Sequence, residues 1–325
     1  MKKIILLLAC ILVEICPVHV RAKSLLIPKQ ETCDYKKLNN ILNFSAYTID
    51  SMDVAYSDFQ GLSGAGNSIV AKNFYFGPLI KNHCGLSVSV KNSFAGAQGQ
   101  MAGSLEVTNP RGKIRAYDVG GNAFLIPRRQ YSKLINHDFI TKQIYDFSDF
   151  FRNLKSSDAR ISDQKEGLVI TLGAGSIQVV KLQADQIKPG RDLEIYGHTH
   201  QTLVLNIFGP DAEINHMLLR IHGLFIKNII WNFTEAKKLV IANMGGMNDT
   251  FPQSDEAGHD GSMGLQGLVL APHALTYFNS TKITGNLLVA NIALGNGPTG
   301  QIDPSPDQGP LSPCLVYGNP LCRVP

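Results

Sequence analysis

Apolar and polar residues alternate along this chain on two different periods. The longest helical period lies at Phe147, Phe150, Phe151 and Leu154, spaced i, i+3, i+4, i+7, and it predicts one amphipathic helix near 140–160 with Asp146 or Ser148 as its cap. Leu38, Ile41 and Leu42 predict a shorter helical stretch within 34–45. Elsewhere, short apolar runs are cut by glycine. Between about 53 and 125 these cuts fall at Gly61, Gly64, Gly66, Gly77, Gly85, Gly96, Gly99 and beyond, the texture of short strands and close-set turns. From 167 onward the strands read as Leu168–Leu172, Ile177–Leu182, Leu193–Tyr196, Thr202–Phe208, Leu218–Ile221, Leu239–Ala242, Leu268–Leu270, Leu275–Phe278 and Leu287–Leu294. Many are apolar throughout, as in strands buried on both faces. With no helices between them, a doubly wound α/β sheet is excluded, and a solenoid, sandwich or barrel remains.

The first 22 residues belong to a different pattern. Lys2 and Lys3 precede an apolar run from Ile4 to Val13, and Val20-Arg21-Ala22 places small residues where a signal peptidase cuts, so 1–22 is expected to be a secretory leader. The run is too short for a bilayer span, and no transmembrane segment is expected. An exported chain reads its cysteines as disulfides. Cys33, Cys84, Cys314 and Cys322 allow three pairings; the turn at Tyr317-Gly318-Asn319-Pro320 favours Cys314 with Cys322, which leaves Cys33 with Cys84. Seven prolines in 298–325 predict an irregular tail, and the polar, acidic segment 247–266 reads as an exposed loop. The expected organisation is therefore a leader (1–22), a β domain (23–297) and a clipped tail (298–325).

Composition sharpens this picture in one place. Only 17% of the 325 residues are charged and the formal net charge is +4, too balanced for a nucleic-acid footprint. The missing charge is concentrated: 261–302 holds no Asp or Glu, and Lys282 is its only Lys or Arg. Thr, Asn, Ser, Ala and Gly would make the surface of such strands, as suits a stacked coil.

Candidate chemistry is sparse. Gly197-His198-Thr199-His200 resembles the metal-binding segment of calcineurin-like phosphoesterases, but the further acidic and amide ligands that such a site needs are absent, and a solvent-facing turn is expected instead. Asp192 with Glu194, and Asp211 with Glu213, place paired carboxylates on one side of a strand, the arrangement a carbohydrate-active enzyme would use, yet each pair sits beside a glycine turn and reads as a solvated strand end. Gly64-Ala65-Gly66 and Gly120-Gly121 lack the context of a phosphate loop. No catalytic, metal or cofactor residue is assigned, and no cofactor is expected. Sequons occur at Asn43, Asn232, Asn248 and Asn279.

Several segments, taken in order, resemble the choice-of-anchor A family of exported bacterial proteins, whose adhesive domains are collagen-binding-like or ice-binding-like. They are Asp58–Asn67 with Asn73–Gly77, Thr202–Gly209, Ile230–Ala236 around Trp231-Asn232-Phe233, Gly267–Ala274 around Ala271-Pro272, and Ile283–Asn286. The resemblance spans about 38 to 297. It departs from the family at Ala65-Gly66, where the family has a glycine pair, and in the acidic insertion. The end at Arg323-Val324-Pro325 carries neither a sorting motif nor a hydrophobic tail, which favours simple secretion over anchoring. Read physically, Trp231 and Phe233 share one side of a strand and plug the core, Asn206 and Asn232 are candidates for side-chain hydrogen bonds along a turn of the coil, and Pro272 sits at a corner. The resemblance implies an irregular right-handed parallel β-helix with one amphipathic helix alongside. It also implies a secreted or surface-associated, non-enzymatic binding protein for an extended matrix protein, polysaccharide or cell surface. The alternatives are a secreted β-helix lyase or glycosidase and, behind it, a metallophosphoesterase.

Overall fold

The computed structural model describes residues 39–77, 86–120, 123–125, 134–248, 264–295 and 297–303. The expected leader, Cys33, Cys84, Cys314, Cys322, most of the acidic segment and the tail beyond 303 lie outside the described residues. The fold is a parallel β-solenoid with one helix along its side, as the strand texture and the resemblance led one to expect. No helix among the described residues is long and apolar enough to cross a membrane.

The first set of coils begins after a 3-10 turn at Ile41–Asn43, which replaces the helical stretch expected around Leu38–Leu42. Its strands are β1 (Phe44–Thr48), β2 (Ser51–Phe59), β3 (Leu62–Ala65), β4 (Ser68–Phe76), β5 (Leu86–Val90), β6 (Ser93–Met101), β7 (Gly103–Val107), β8 (Lys113–Gly120) and β9 (Ala123–Leu125). Odd strands stack in parallel on odd, and even on even. Each long even strand bends midway at a left-handed residue: Tyr56, Asn73, Gln98 and Asp118 hold φ near +50° at one shared register position. Asn and Asp tolerate that conformation and Tyr rarely adopts it. The bend divides every coil into three faces.

Next comes α1 (His137–Arg152). The second set follows: β10 (Arg160–Asp163), β11 (Gly167–Thr171), β12 (Ile177–Gln183), β13 (Asp192–Tyr196), β14 (Thr202–Phe208), β15 (Asp211–Asn215), β16 (Leu218–His222), β17 (Ile229–Phe233), β18 (Lys238–Ala242), β19 (Gly245–Asn248), β20 (Leu265–Asn279), β21 (Lys282–Ala293) and β22 (Gln301–Asp303). Two expectations change here. Met247, Asn248, Leu265 and Gln266, assigned to the loop, lie in strands, and the expected tail contributes β22.

The order of rungs is not the order of the chain. β21 pairs in parallel with β1, so the end of the second set closes onto the start of the first. The first face runs β12–β14–β17–β20–β21–β1–β3–β5–β7–β9. The described chain therefore enters mid-stack, climbs to β9, returns along α1 to the base and climbs again to meet β1. At the base, antiparallel β10 covers the edge of β11, and Ser157 bonds both ways with Val179 on the edge of β12.

Helix length fits this route. His137 to Phe151 spans about 21 Å of helix, and β1 to β14 is four inter-strand steps, about 19 Å. The helix starts earlier than expected: Asn136 caps it by accepting from the Phe139 N–H at 3.1 Å, while Asp146 and Ser148 lie inside it. Its buried stripe is Ile140, Ile144, Ser148 and Phe151. Of the expected aromatic stripe, Phe151 alone is fully buried and Phe150 is 41% exposed.

The core has two layers. Inside the coils, inward residues stack in rows such as Leu205–Trp231–Val269–Leu287–Ala46 and Ile283–Ile302–Phe59–Phe76–Met101, unbroken across the β21–β1 and β22–β2 junctions. Outside the first face, Phe44, Tyr47, Val204, Ile230, Leu268 and Leu288 pack under α1. Glycine serves the corner where β20 and β21 turn into this face. Gly267 and Gly285 are stacked at φ +109° and +145°, and a Cβ on Gly285 would stand 2.0 Å from the Gly267 carbonyl oxygen.

Candidate functional site

Among the described residues, the longest continuous surface that α1 does not cover is the second face. It is built from eight parallel rungs: β15, β18, the end of β20, the end of β21, and the first halves of β2, β4, β6 and β8. Seven inter-strand steps make it about 33 Å long. Strand alternation sends Ala212, Leu239, Thr276, Ile292, Met52, Ile69 and Phe94 inward. The intervening residues face out and form three rows.

The central rungs carry short side chains. One row reads Asn291, Ser51, Ser68, Ser93; the next Ala293, Asp53, Val70, Ala95; the third reads Lys72 and Ala97 and ends at Ala55, which is buried at 7% exposure and bonded to Thr299. Val70 is 48% exposed. The first row is held by its own bonds: Ser51 Oγ lies 3.0 Å from Ser68 Oγ, and Asn291 Oδ1 accepts from the Ser51 N–H at 3.0 Å. Beside it, Asn109 donates to Asn92 at 2.7 Å and Asn92 to Asn67 at 2.9 Å, an amide ladder that fixes the edge. Asp53, Lys72 and Lys238 are exposed on rungs between the two ends, and each end carries a pair of like charges. Asp211 and Glu213 face out on the lowest rung, and Lys113 and Arg115 on the highest, beside Tyr117 at 73% exposed.

Trp231 and Phe233 are fully buried inside the coil, as expected, and the Trp231 indole N–H donates to the Gln266 carbonyl at 2.7 Å. Asn232 donates to Asn206 Oδ1 at 2.7 Å, from one turn of the coil to the next. Asn232 also donates to the Ser148 carbonyl at 2.9 Å and accepts from Ser148 Oγ at 2.6 Å, while Asn206 donates to the Phe151 carbonyl at 2.7 Å. Together they tie α1 to the first face. Ala271 and Pro272 are buried in β20, whose register against β21 shifts between Ala271 and Leu275; a corner was expected at Pro272. The sequon at Asn232 is enclosed. The Asn248 side chain lies outside the described residues.

His198 and His200 stand on an exposed turn with parallel rings, centroids 5.7 Å apart. Among the described residues, no third His, Cys, Asp or Glu completes a metal-binding group with them. The carboxylate pairs separate into different surroundings. Asp211 and Glu213 lie on the second face. On the third face, Asp192 accepts from Arg220 at 2.8 Å. Glu194 accepts from the Tyr196 hydroxyl at 2.7 Å and lies 3.1 Å from His222 Nε2, and these bonds hold its carboxyl below the usual range.

Two polar clusters were not legible in the sequence. Under the start of α1, Glu106 accepts from Ser89 Oγ at 2.6 Å and from the Leu134 N–H at 2.8 Å. His137 lies 3.1 Å from Ser89 Oγ and 3.0 Å from the Tyr47 hydroxyl. Burial pushes the Glu106 carboxyl and the Tyr47 hydroxyl up and brings His137 down to about 4. All four side chains are enclosed by the helix, so the cluster fastens α1 and meets no solvent. The second cluster lies on the third face, where Lys282 pairs with Asp303 at 2.6 Å. Nearby, burial raises Asp58, whose Oδ2 accepts from Gln60 at 3.0 Å.

The family model described as an ice-binding-like adhesive domain matches residues 38–301, from before β1 into β22. No curated protein and no solved structure matches the chain.

Proposed function

Because the chain belongs to the family of ice-binding-like adhesive domains, we propose that it is an extracellular, non-enzymatic adhesive module that grips an extended ligand with its second face. The observation that carries this reading is the eight-rung surface itself, uncovered by α1 and, in its central rungs, built from short side chains. A flat, pre-ordered surface lets a repetitive ligand make the same contact rung after rung, with little ordering cost on the protein side. Among the described residues, Ser51, Ser68 and Ser93 form the only row of one repeated hydroxyl, and no outward row repeats threonine. That supports a polymer, such as a matrix protein or polysaccharide, over an ice lattice.

A solid-phase screen of the purified protein against matrix proteins, glycans and ice tests the reading. Saturable binding to a polymer, without release of reducing or unsaturated sugars, is expected. Release of such sugars, lost on Asp58→Asn or Asp211→Asn, would replace adhesion with catalysis. Stoichiometric zinc, manganese or iron in the purified protein, lost on His198→Ala, would point to the phosphoesterase instead.

A further inference from the structure

The second face is electrically lopsided, and its polarity points to a ligand class. Its lowest rung presents Asp211 and Glu213, with Lys238 opposite Asp211 on the next rung, so the lower end carries two acids to one cation. Its upper rungs present Lys72 on β4 and Lys113 and Arg115 on β8, with Arg111 exposed in the turn just before. Among the described residues, no carboxylate comes within ion-pair distance of any of these four cations; the ion pairs lie elsewhere, Lys91 with Asp138 among them. Asp50, Asp53 and Asp118 are the exposed acids nearby, three against four cations, and Asp50 accepts from the Ser51 hydroxyl at 3.2 Å.

We propose that the second face binds an acidic polysaccharide, docked on its upper rungs β4, β6 and β8. This rests on the reading of that face as the adhesive surface. The cations do not stand alone. Lys113 ends the row Asn291–Ser51–Ser68–Ser93, whose hydroxyl and amide groups match sugar hydroxyls. Arg115 ends the row through Val70 and Ala95, and Tyr117 ends the row through Lys72 and Ala97. Ala95 and Ala97 leave a shallow floor between β4 and β8 on which a pyranose ring can lie, and the exposed Tyr117 ring offers an apolar face to its C–H groups. Lys72 and the β8 cations are two rungs apart, about 9.6 Å, comparable with one disaccharide of an extended chain. Repeating anions on such a chain can therefore meet cations at both edges of the floor. A neutral polymer would leave them unused, and an acidic protein segment would gain little from the hydroxyl row.

The test immobilises dextran sulfate, alginate and unmodified dextran, and measures retention of the full chain at low salt and in 0.5 M NaCl, an ionic strength that shortens screening to roughly 4 Å. The wild type is expected on one or both anionic polymers, released by salt, and absent from dextran; which polymer retains it distinguishes sulfate from carboxylate. Lys113→Glu/Arg115→Glu and the milder Lys113→Gln/Arg115→Gln are expected to weaken retention by about tenfold or more. Asp211→Lys/Glu213→Lys at the opposite end is expected to leave retention unchanged or to raise it. Equal retention on dextran, or indifference to both upper-rung variants, overturns the charge inference. The adhesive reading fails separately: Ser68→Trp/Ala95→Trp would then leave every polymer or matrix protein bound as before.

Discussion

Trp231 and Asn232 are neighbours in sequence, both fully enclosed, and they hold different parts of the molecule. Trp231 points into the coil between Leu205 and Val269, and Asn232 points out to α1. Trp231→Ala empties a large core site and should cost roughly 3–5 kcal/mol, seen as a lower unfolding midpoint in denaturant. Asn232→Ala instead leaves Asn206 Oδ1 and Ser148 Oγ without their partner, a loss of about 1–3 kcal/mol. Hydrogen exchange separates the two: Asn232→Ala should speed exchange in α1 before the strands, whereas Trp231→Ala should weaken protection throughout. Uniform loss in both variants would contradict the assigned roles. The inward position of Trp231 and Phe233 was legible because strand side chains alternate. The partner of Asn232 was not, since Ser148 lies 84 residues away and only the folded route of the chain brings it near.

At the scale of the element, α1 is a strap whose start is locked by a buried titratable cluster. His137 faces Tyr47, Ser89 and Lys91 from the coils and Asp138 from its own helix, and Glu106 reaches it through Ser89. Its imidazole is held down to about 4 from an ordinary 6.5, mainly by burial. Between those values the unfolded chain takes up a proton that the native one refuses, so this group lowers stability as pH falls from 6.5 to 4, by roughly 3 kcal/mol in all. Glu106 works the other way. Its folded pKa is raised, so its stabilising contribution is full below the unfolded value and is lost as pH rises through the folded one. Comparison of the wild type with His137→Gln isolates the histidine: the wild type should lose stability relative to the variant across that window. A pH-independent difference would show that the imidazole does not titrate as described. The helix itself was legible from its period, but its buried side was not. Phe147 and Phe150 suggested an aromatic stripe, whereas contact with the strands selects Ile140, Ile144, Ser148 and Phe151, because Asn206 and Asn232 demand a polar partner.

At the scale of the molecule, the acid-free stretch gains a place and a cause. Residues 265–293 form β20 and β21, the middle rungs where the second set of coils closes onto the first. They are enclosed by the coil interior on one side and by α1 on the other, and they surface as Leu275, Tyr277, Asn291 and Ala293 on the second face. Their low charge was legible; their position was not, because nothing local in 265–293 encodes pairing with a strand some 240 residues earlier. For the same reason the junction is not acid-free in space. Asp58 of β2 and Asp303 of β22 arrive there from outside the stretch, beside Lys282. Among the described residues, the solenoid thus presents one face strapped by a helix, one carrying ion pairs, and one that the helix does not cover. The most direct measurement of which face binds is retention on whichever polymer or matrix protein holds the wild type, compared across two variants. Ser68→Trp/Ala95→Trp raises bulk on the second face, and Gln100→Trp does the same on the third. Loss of about tenfold or more in the first variant, with wild-type retention in the second, is the expected result; loss in the second with retention in the first would contradict the account.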